Sequence, residues 1–392
     1  MPSSAVRRVQ SALARQPRLP LAQLPTPIHD AIRLREALGG PGRCPRILIK
    51  RDDLTALGLG GNKARKLEYL VADAQAQGAT TLITTGAVQS NHARMTAAAA
   101  CVAGMRSVLV LTTRMDEAKV RLPPSPQDGF GETRKPDATP VPALEGNLLL
   151  DHLYGATVRL VPSVDPMLAV GQDEAVVAEV VAEEESHGRR PYVIPVGGSS
   201  GIGVLGYVGG TAELVEQLAA MAVAPSRLYY ASGSRGTQAG LTLGARLCEA
   251  PYRVYGVAVS AGEPEKIERA KRIANEAAAT LELPERLELS ELTTDQAFIG
   301  DGYGIPTSGG LEAIDLLARS EAILLDPCYT AKGMAALIAH VRDGSLPAGE
   351  TVVFLHTGGM PALFTQEFSS RVSAGDRATP GGFGSSRPAL PS

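Results

Sequence analysis

The chain has 392 residues, 20% of them charged, with a net charge of −3. That length accommodates two domains, and without a basic excess to neutralise phosphates a nucleic-acid partner is not expected. Trp is absent, aromatics make up 4% and no apolar run approaches a membrane span of ~18 residues, so base-stacking platforms and transmembrane helices are excluded as well. Cys44, Cys101, Cys248 and Cys328 lie far apart with no metal-ligand spacing. They read as reduced thiols of an intracellular protein, and no metal site is expected.

Residues 1–29 contain no acid but hold Arg7, Arg8, Arg15 and Arg18. The reading adopted is a helix capping a cytoplasmic enzyme, with organelle targeting by residues 1–20 as the alternative. Pro25 and Pro27 keep 21–30 extended. After a strand at 46–50, a glycine cluster (Gly58, Gly60, Gly61) leads to Asn62 and Lys63, where a helix over 63–78 begins. Asn62 as N-cap places Lys63 in the positive field of a helix start. Such a field favours the neutral amine, the form that attacks a carbonyl to make a Schiff base.

Further along, strand 80–85, a polar loop 86–92, helix 93–103 and strand 106–112 form a parallel α/β unit. Residues 114–143 are Pro-rich and read as a surface insertion. The alternation resumes with helix 147–154, strand 157–161, helix 168–186 and strand 192–196. Helix 204–223, strands 227–231 and 253–259, helices 264–281, 309–319 and 331–343, and strand 351–355 follow. Residues 370–392 are Gly/Ser/Pro-rich, the composition of a disordered tail. Open parallel sheets bind ligands at the carboxyl ends of their strands. The loops at 86–92, 197–203, 232–238, 326–330 and 356–359 all fall on that edge.

The best anion seat is 232–240, where a strand ends, small residues follow and a helix starts. It lacks the Gly-Lys-Ser/Thr of a nucleotide-triphosphate loop. Gly-Gly-Ser-Ser-Gly-Ile-Gly at 197–203 has the look of a nicotinamide-cofactor loop, so a nicotinamide-dependent oxidoreductase is kept as a reading of another class, beside a non-catalytic cofactor-binding protein. Gln89, Ser90, Asn91 and His92 at one strand tip suit recognition of a carboxylate or phenolate. Tyr329, Thr330 and Thr357 add hydroxyls at two others.

Six motifs then occur in order: Gly-Gly-Asn-Lys-Ala-Arg-Lys-Leu-Glu-Tyr (60–69), Thr-x-Gly-Ala-Val-Gln-Ser-Asn-His (84–92), Leu-Glu-Gly-Asn-Leu-Leu-Leu-Asp (144–151), Gly-Thr-Gln-Ala-Gly (236–240), Asp-Pro-x-Tyr-Thr (326–330) and His-Thr-Gly-Gly (356–359). From about residue 20 to 366 the chain resembles the pyridoxal-phosphate family of D-cysteine desulfhydrase and 1-aminocyclopropane-1-carboxylate deaminase. The resemblance implies an α/β fold of type II, like the tryptophan-synthase β-subunit. Two open parallel-sheet domains hold pyridoxal 5'-phosphate between them: a large one of 1–65 plus 176–369 and a small one of 66–175. It implies that Lys63 carries the cofactor as a Schiff base and that Lys66, Ser234, Gly236 and Thr237 hold its phosphate. Arg235 lies in the same loop, where the family has a small residue. Asn91 is implied at the phenolic oxygen, and Ser90 at the substrate carboxylate or the reacting carbon. Gln89 and His92 accompany them on the substrate side, Tyr303 and Tyr329 line the substrate pocket, and Thr330 or Thr357 lies near the pyridine nitrogen.

The cyclopropane deaminases have Tyr-Glu and His-Leu-Gly-Gly where this chain has Tyr329-Thr330 and His356-Thr357. Hydroxyls make a weaker electron sink than a glutamate beside the ring nitrogen, sufficient when a thiolate leaves the β-carbon. The expected activity is therefore β-elimination from D-cysteine to pyruvate, hydrogen sulfide and ammonia, by a homodimer acting on a small amino acid. L-cysteate or β-chloro-D-alanine elimination and cyclopropane deamination are the alternatives, and Arg235 would suit the anionic cysteate.

Overall fold

The computed structural model describes residues 2–114, 142–163, 172–262 and 264–373; the core of the 114–143 insertion lies outside them. In chain order come α1 (Ser4–Ala14), β1 (Ile28–Asp30), α2 (Ile32–Ala37), β2 (Arg46–Arg51), α3 (Lys63–Ala76), β3 (Thr81–Ala87), α4 (Asn91–Ala103) and β4 (Arg106–Arg114). Then follow α5 (Gly146–Leu153), β5 (Thr157–Ser163), α6 (Gln172–Ser186), β6 (Pro191–Ile194), α7 (Gly201–Ala220), β7 (Arg227–Ser232), α8 (Gly236–Leu247), β8 (Arg253–Ala258) and α9 (Glu265–Thr280). The described part closes with β9 (Thr294–Asp295), α10 (Ser308–Glu321), α11 (Thr330–Arg342), β10 (Thr351–His356) and α12 (Gln366–Ser373). Among the described residues no helix is long and apolar enough to cross a membrane.

The strands make two sheets. One has the order β1-β2-β10-β7-β8-β9, the other β5-β4-β3-β6. All pairings are parallel except β1 with β2. Parallel strands covered on both faces are continuously apolar, as the buried runs Ile47-Leu48-Ile49 and Val352–Leu355 show. Two differences from the sequence reading follow from pairing and packing. Strand β6 hydrogen-bonds to β3 over Thr81↔Pro191 to Thr84↔Ile194, so the chain stays with the four-stranded sheet until Ile194 instead of leaving it at 175. Helix α12 runs to Ser373, into the segment read as a tail, and buries Phe368 against the core; 374–392 lie outside the described residues. The N-terminal helix packs as a cap: Val6, Val9 and Leu13 are buried among apolar residues of α7, α8 and α9.

Helix α3 is the hinge between the two sheets' contents. Its residues Leu67, Leu70 and Val71 join the core of the smaller unit. Arg65, one turn earlier, faces the larger one. There its guanidinium donates to Asp52 at 2.8 Å and to Glu213 at 2.9 and 3.0 Å, while Lys50 donates to Gln217 at 2.6 Å and the Thr26 carbonyl at 2.7 Å and pairs with Glu213. Tyr207 donates to the same Asp52 at 2.7 Å. Two cations meet two carboxylates in this network, which fixes where α3 begins and so where Lys63 stands.

Candidate active site

Between β2 and α3 the backbone makes two tight turns. Gly60 and Gly61 have φ of +74° and +131°, and a Cβ on Gly60 would lie 1.9 Å from the Asp53 carbonyl oxygen, so only glycine fits there. The Thr55 hydroxyl clasps Gly61, accepting from its N–H at 2.8 Å and donating to its carbonyl at 2.9 Å. Asn62 is the N-cap position, but its backbone is already helical (φ −60°, ψ −20°) and its side chain makes no cap bond. A capping side chain reaches the first-turn N–H groups from an extended backbone. Instead Asn62 Nδ2 donates to Thr237 Oγ1 at 3.1 Å, and its N–H donates to the Thr357 carbonyl at 3.0 Å, tying the start of α3 to α8 and to the end of β10. Lys63 follows, half-buried, its amine without a hydrogen-bonding partner among the described residues. Burial pulls its pKa down to about 8.

One turn on, Lys66 is fully buried and donates to the Gly197 carbonyl at 3.0 Å. No carboxylate of the described residues pairs with it, and burial, together with the nearby Lys63 charge, holds its pKa well below the usual lysine range. Around it stand the first residues of α8. A Cβ on Gly236 would come within 2.8 Å of Lys66 Nζ and 2.6 Å of Ser199 Oγ. Ser199 donates to Ser234 at 2.9 Å. A buried cation, two hydroxyls and the free N–H groups of a helix start form an anion seat. Ser199 is absent from the sequence reading's site. Its loop resembled a nicotinamide-binding turn, yet the structure folds 197–199 onto the same seat. Arg235 sits at +70° φ before α8, fully buried, with Nη1 donating to Ser232 at 3.2 Å and Gln238 at 2.9 Å. It is anchored to its own loop.

Loop 86–92 closes a second side. Ser90 caps α4, accepting from the Ala93 N–H at 3.2 Å. Asn91 Oδ1 accepts from Asn147 Nδ2 at 3.1 Å, which leaves the donor end of the Asn91 amide without a partner among the described residues. The Gln89 amide is engaged by α5: Oε1 accepts from the Asn147 N–H at 2.8 Å and Nε2 donates to the Glu145 carbonyl at 3.1 Å. His92 is buried, its Nε2 at 2.9 Å from the Thr84 hydroxyl, which itself donates to the Ile194 carbonyl. Burial and the nearby Lys63 and Lys66 charges keep His92 neutral. Gln89 and His92 thus bond to the scaffold around the loop.

The third side carries the hydroxyls. Tyr303 and Tyr329 are bonded hydroxyl to hydroxyl with rings nearly perpendicular, and Tyr329 packs near Gly233 of the anion seat. Burial raises both phenols, so both stay protonated. The two threonines differ. Thr330 donates to Asp326 Oδ1 at 2.6 Å and accepts from the Asp326 N–H at 2.8 Å, closing the start of α11. The Thr357 hydroxyl has no partner among the described residues, although its carbonyl holds Asn62.

A phosphorylated pyridine aldehyde with a phenolic oxygen needs an anion seat, an unpaired amine close to it, a donor for the phenolate and a hydroxyl for the ring nitrogen. Lys66 with the α8 start, Lys63, Asn91 and Thr357 supply that donor set, and the buried, uncompensated Lys66 is the observation that an anion would satisfy.

Comparison with known proteins agrees. Residues 19–358 match the family described as pyridoxal-phosphate dependent enzymes. The chain is 38% identical over 356 residues to a D-cysteine desulfhydrase of Serratia proteamaculans (strain 568), covering 91% of this chain and 98% of that one. A solved structure of an ACC deaminase homologue superposes with a TM-score of 0.75 at 33% identity, covering 94% of this chain and 98% of the other. The Escherichia coli diaminopropionate ammonia lyase in apo form shares the fold, with a TM-score of 0.60 at 15% identity over 97% and 93% of the two chains.

Proposed function

The chain belongs to the family of pyridoxal-phosphate dependent enzymes, and from that premise we propose that it is a carbon–sulfur lyase converting D-cysteine and water to pyruvate, hydrogen sulfide and ammonia. The likeness to a D-cysteine desulfhydrase over nearly its whole length supports the substrate. The observation that carries the reading is Lys63, whose amine has no hydrogen-bonding partner among the described residues, beside the buried Lys66, which meets one carbonyl and no carboxylate of the described residues.

Bound there, pyridoxal phosphate supplies an electron sink for the pair left at the α-carbon. Lys66, Ser199, Ser234, Gly236 and Thr237 hold the phosphate, with Arg235 bracing the loop from behind. Lys63 would be the attachment point and, with its amine free, the base that takes the α-proton. With a pKa of about 8 a useful share of its amine is neutral near physiological pH. Asn91, its Oδ1 held by Asn147, would donate through Nδ2 to the phenolic oxygen. Ser90 receives the substrate carboxylate, while Gln89 and His92 position that loop. Tyr303 and Tyr329 line the substrate side and keep a proton at hand for the departing thiolate. Thr357, not Thr330, serves the ring nitrogen, because the Thr330 hydroxyl already closes the α11 cap. A neutral hydroxyl there suits loss of a good leaving group over opening of a cyclopropane.

The protein is further proposed to be a cytoplasmic homodimer, which sedimentation of the purified protein checks for the assembly. The function is tested by assaying sulfide, sulfite and 2-ketoacid from D-cysteine, L-cysteine, L-cysteate and aminocyclopropane carboxylate. Sulfide and pyruvate in equal amounts from D-cysteine are expected. Preferential sulfite release from L-cysteate, or 2-ketobutyrate from the cyclopropane, overturns the substrate.

A further inference from the structure

Arg94, on α4 one turn after Asn91, is fully buried and lies outside the set of residues assigned above. Its Nη2 donates to the Gly60 carbonyl at 3.1 Å, and a Cβ on Gly61 would lie 3.8 Å from the same nitrogen. Its remaining nitrogens, Nε and Nη1, have no hydrogen-bonding partner among the described residues. Asp151, on α5, is also fully buried with both oxygens unbonded; burial raises its carboxyl well above the usual carboxylate range, against the attraction of Arg94. The same two helices meet one turn away through the Asn91–Asn147 bond. A helix packed only to fill space needs no buried guanidinium, because burying a charge opposes folding unless it is paired. Here the guanidinium ends on the carbonyl three residues before Lys63, in the turn that Thr55 and Thr357 clasp from other sides.

We propose that Arg94 is a positioning residue: through the Gly60 carbonyl it fixes the 60–62 turn that presents the Lys63 amine, and the buried acid Asp151 helps to keep it in place. The 86–92 loop and the 60–62 turn are thereby held by one helix, so the Lys63 amine keeps a set place relative to Asn91. The inference rests on Lys63 as the attachment point. It predicts a defect in attachment separate from any defect in the phosphate seat.

The test uses apo full-length protein and two probes. Pyridoxine 5'-phosphate has no aldehyde, so its affinity reports the seat alone. The growth of the visible band with pyridoxal phosphate reports attachment. In Arg94→Met the attachment rate at saturating cofactor is expected to fall about 100-fold, the scale of an ångström's misplacement, while pyridoxine phosphate binds as before. Asp151→Asn is expected to slow attachment in the same direction by less. An unchanged attachment rate, or loss of both properties in parallel, overturns the proposal. Should Arg94→Met fail to fold, Arg94→Lys decides: it keeps the charge opposite Asp151 but not the planar donor fork, and the same split is expected. Borohydride reduction of the unmodified protein followed by peptide mapping separates the two readings. Attachment at any other lysine sinks the functional reading itself. Attachment at Lys63 with an unaltered rate in the variants sinks only the role of Arg94.

Discussion

Arg65 and Lys66 are neighbours on one helix, both fully buried and both basic, yet their surroundings are opposite. Arg65 meets Asp52 and Glu213 in a network whose charges balance. Lys66 meets one carbonyl and, through space, a second lysine. Buried charges are tolerated when they are paired. The matched side of α3 is therefore complete as folded, and the unmatched side is complete only with an anion. The comparison separates a structural cation from a binding one without reference to any ligand.

The largest effect expected lies on the unmatched side. Lys63→Ala is expected to lower sulfide and pyruvate release by about 10⁴-fold, the upper range for loss of a proton-transferring group, with the fold retained by circular dichroism. On the matched side, Arg65→Met leaves Asp52 and Glu213 with Lys50 alone. It is expected to destabilise the apo protein by about 3–5 kcal/mol in urea unfolding, the scale of a broken buried pair. A loss below about 1 kcal/mol, ordinary for a surface pair, would erase the contrast. The two threonines refine it. Thr357→Val is expected to reduce turnover about tenfold, the upper end for loss of one hydrogen bond between neutral groups, at unchanged stability. Thr330→Val is expected to cost about 2 kcal/mol of stability through its two bonds. A reversal of those phenotypes reassigns the ring-nitrogen partner.

The last effect is in pH. The Lys63 amine titrates at about 8 when folded and at its ordinary 10.5 when unfolded. Between those values the unfolded chain binds the extra proton, so apo stability rises with pH through the window. Below about 8 both states hold the proton and this contribution is flat. Lys63→Met is expected to lack the rise, which the difference between the two melting-temperature profiles measures.

Much of this was legible in the sequence. Alternating apolar runs and glycine loops placed the strands and the edge where ligands bind, and the motifs placed Lys63, Gly236 and Asn91 on it. What stayed hidden depends on which partner each polar atom meets. Gln89 reads like a ligand residue, but both ends of its amide are held by α5, brought in from 58 positions away. Thr330 and Thr357 read alike, and only the cap by Asp326 tells them apart. Asn62 reads as a cap and instead bridges to Thr237. That the four-stranded sheet takes in β6, past 175, depends on its pairing with a strand over a hundred residues earlier, a register that composition does not carry. Asp151 ends one of the motifs and Arg94 lies two residues past another, yet nothing local indicates that they share one buried space.

The central claim is that Lys66 is a buried cation awaiting an anion, and Lys66→Met tests it most directly. Calorimetric titration with pyridoxal phosphate and thermal unfolding of the apo protein are measured on the same sample. The account predicts a variant that binds the cofactor about tenfold or more weakly, as befits a lost charge-assisted bond, but melts no lower than the unmodified apo protein. A variant that loses stability as Arg65→Met does while binding pyridoxal phosphate as tightly as before would contradict it.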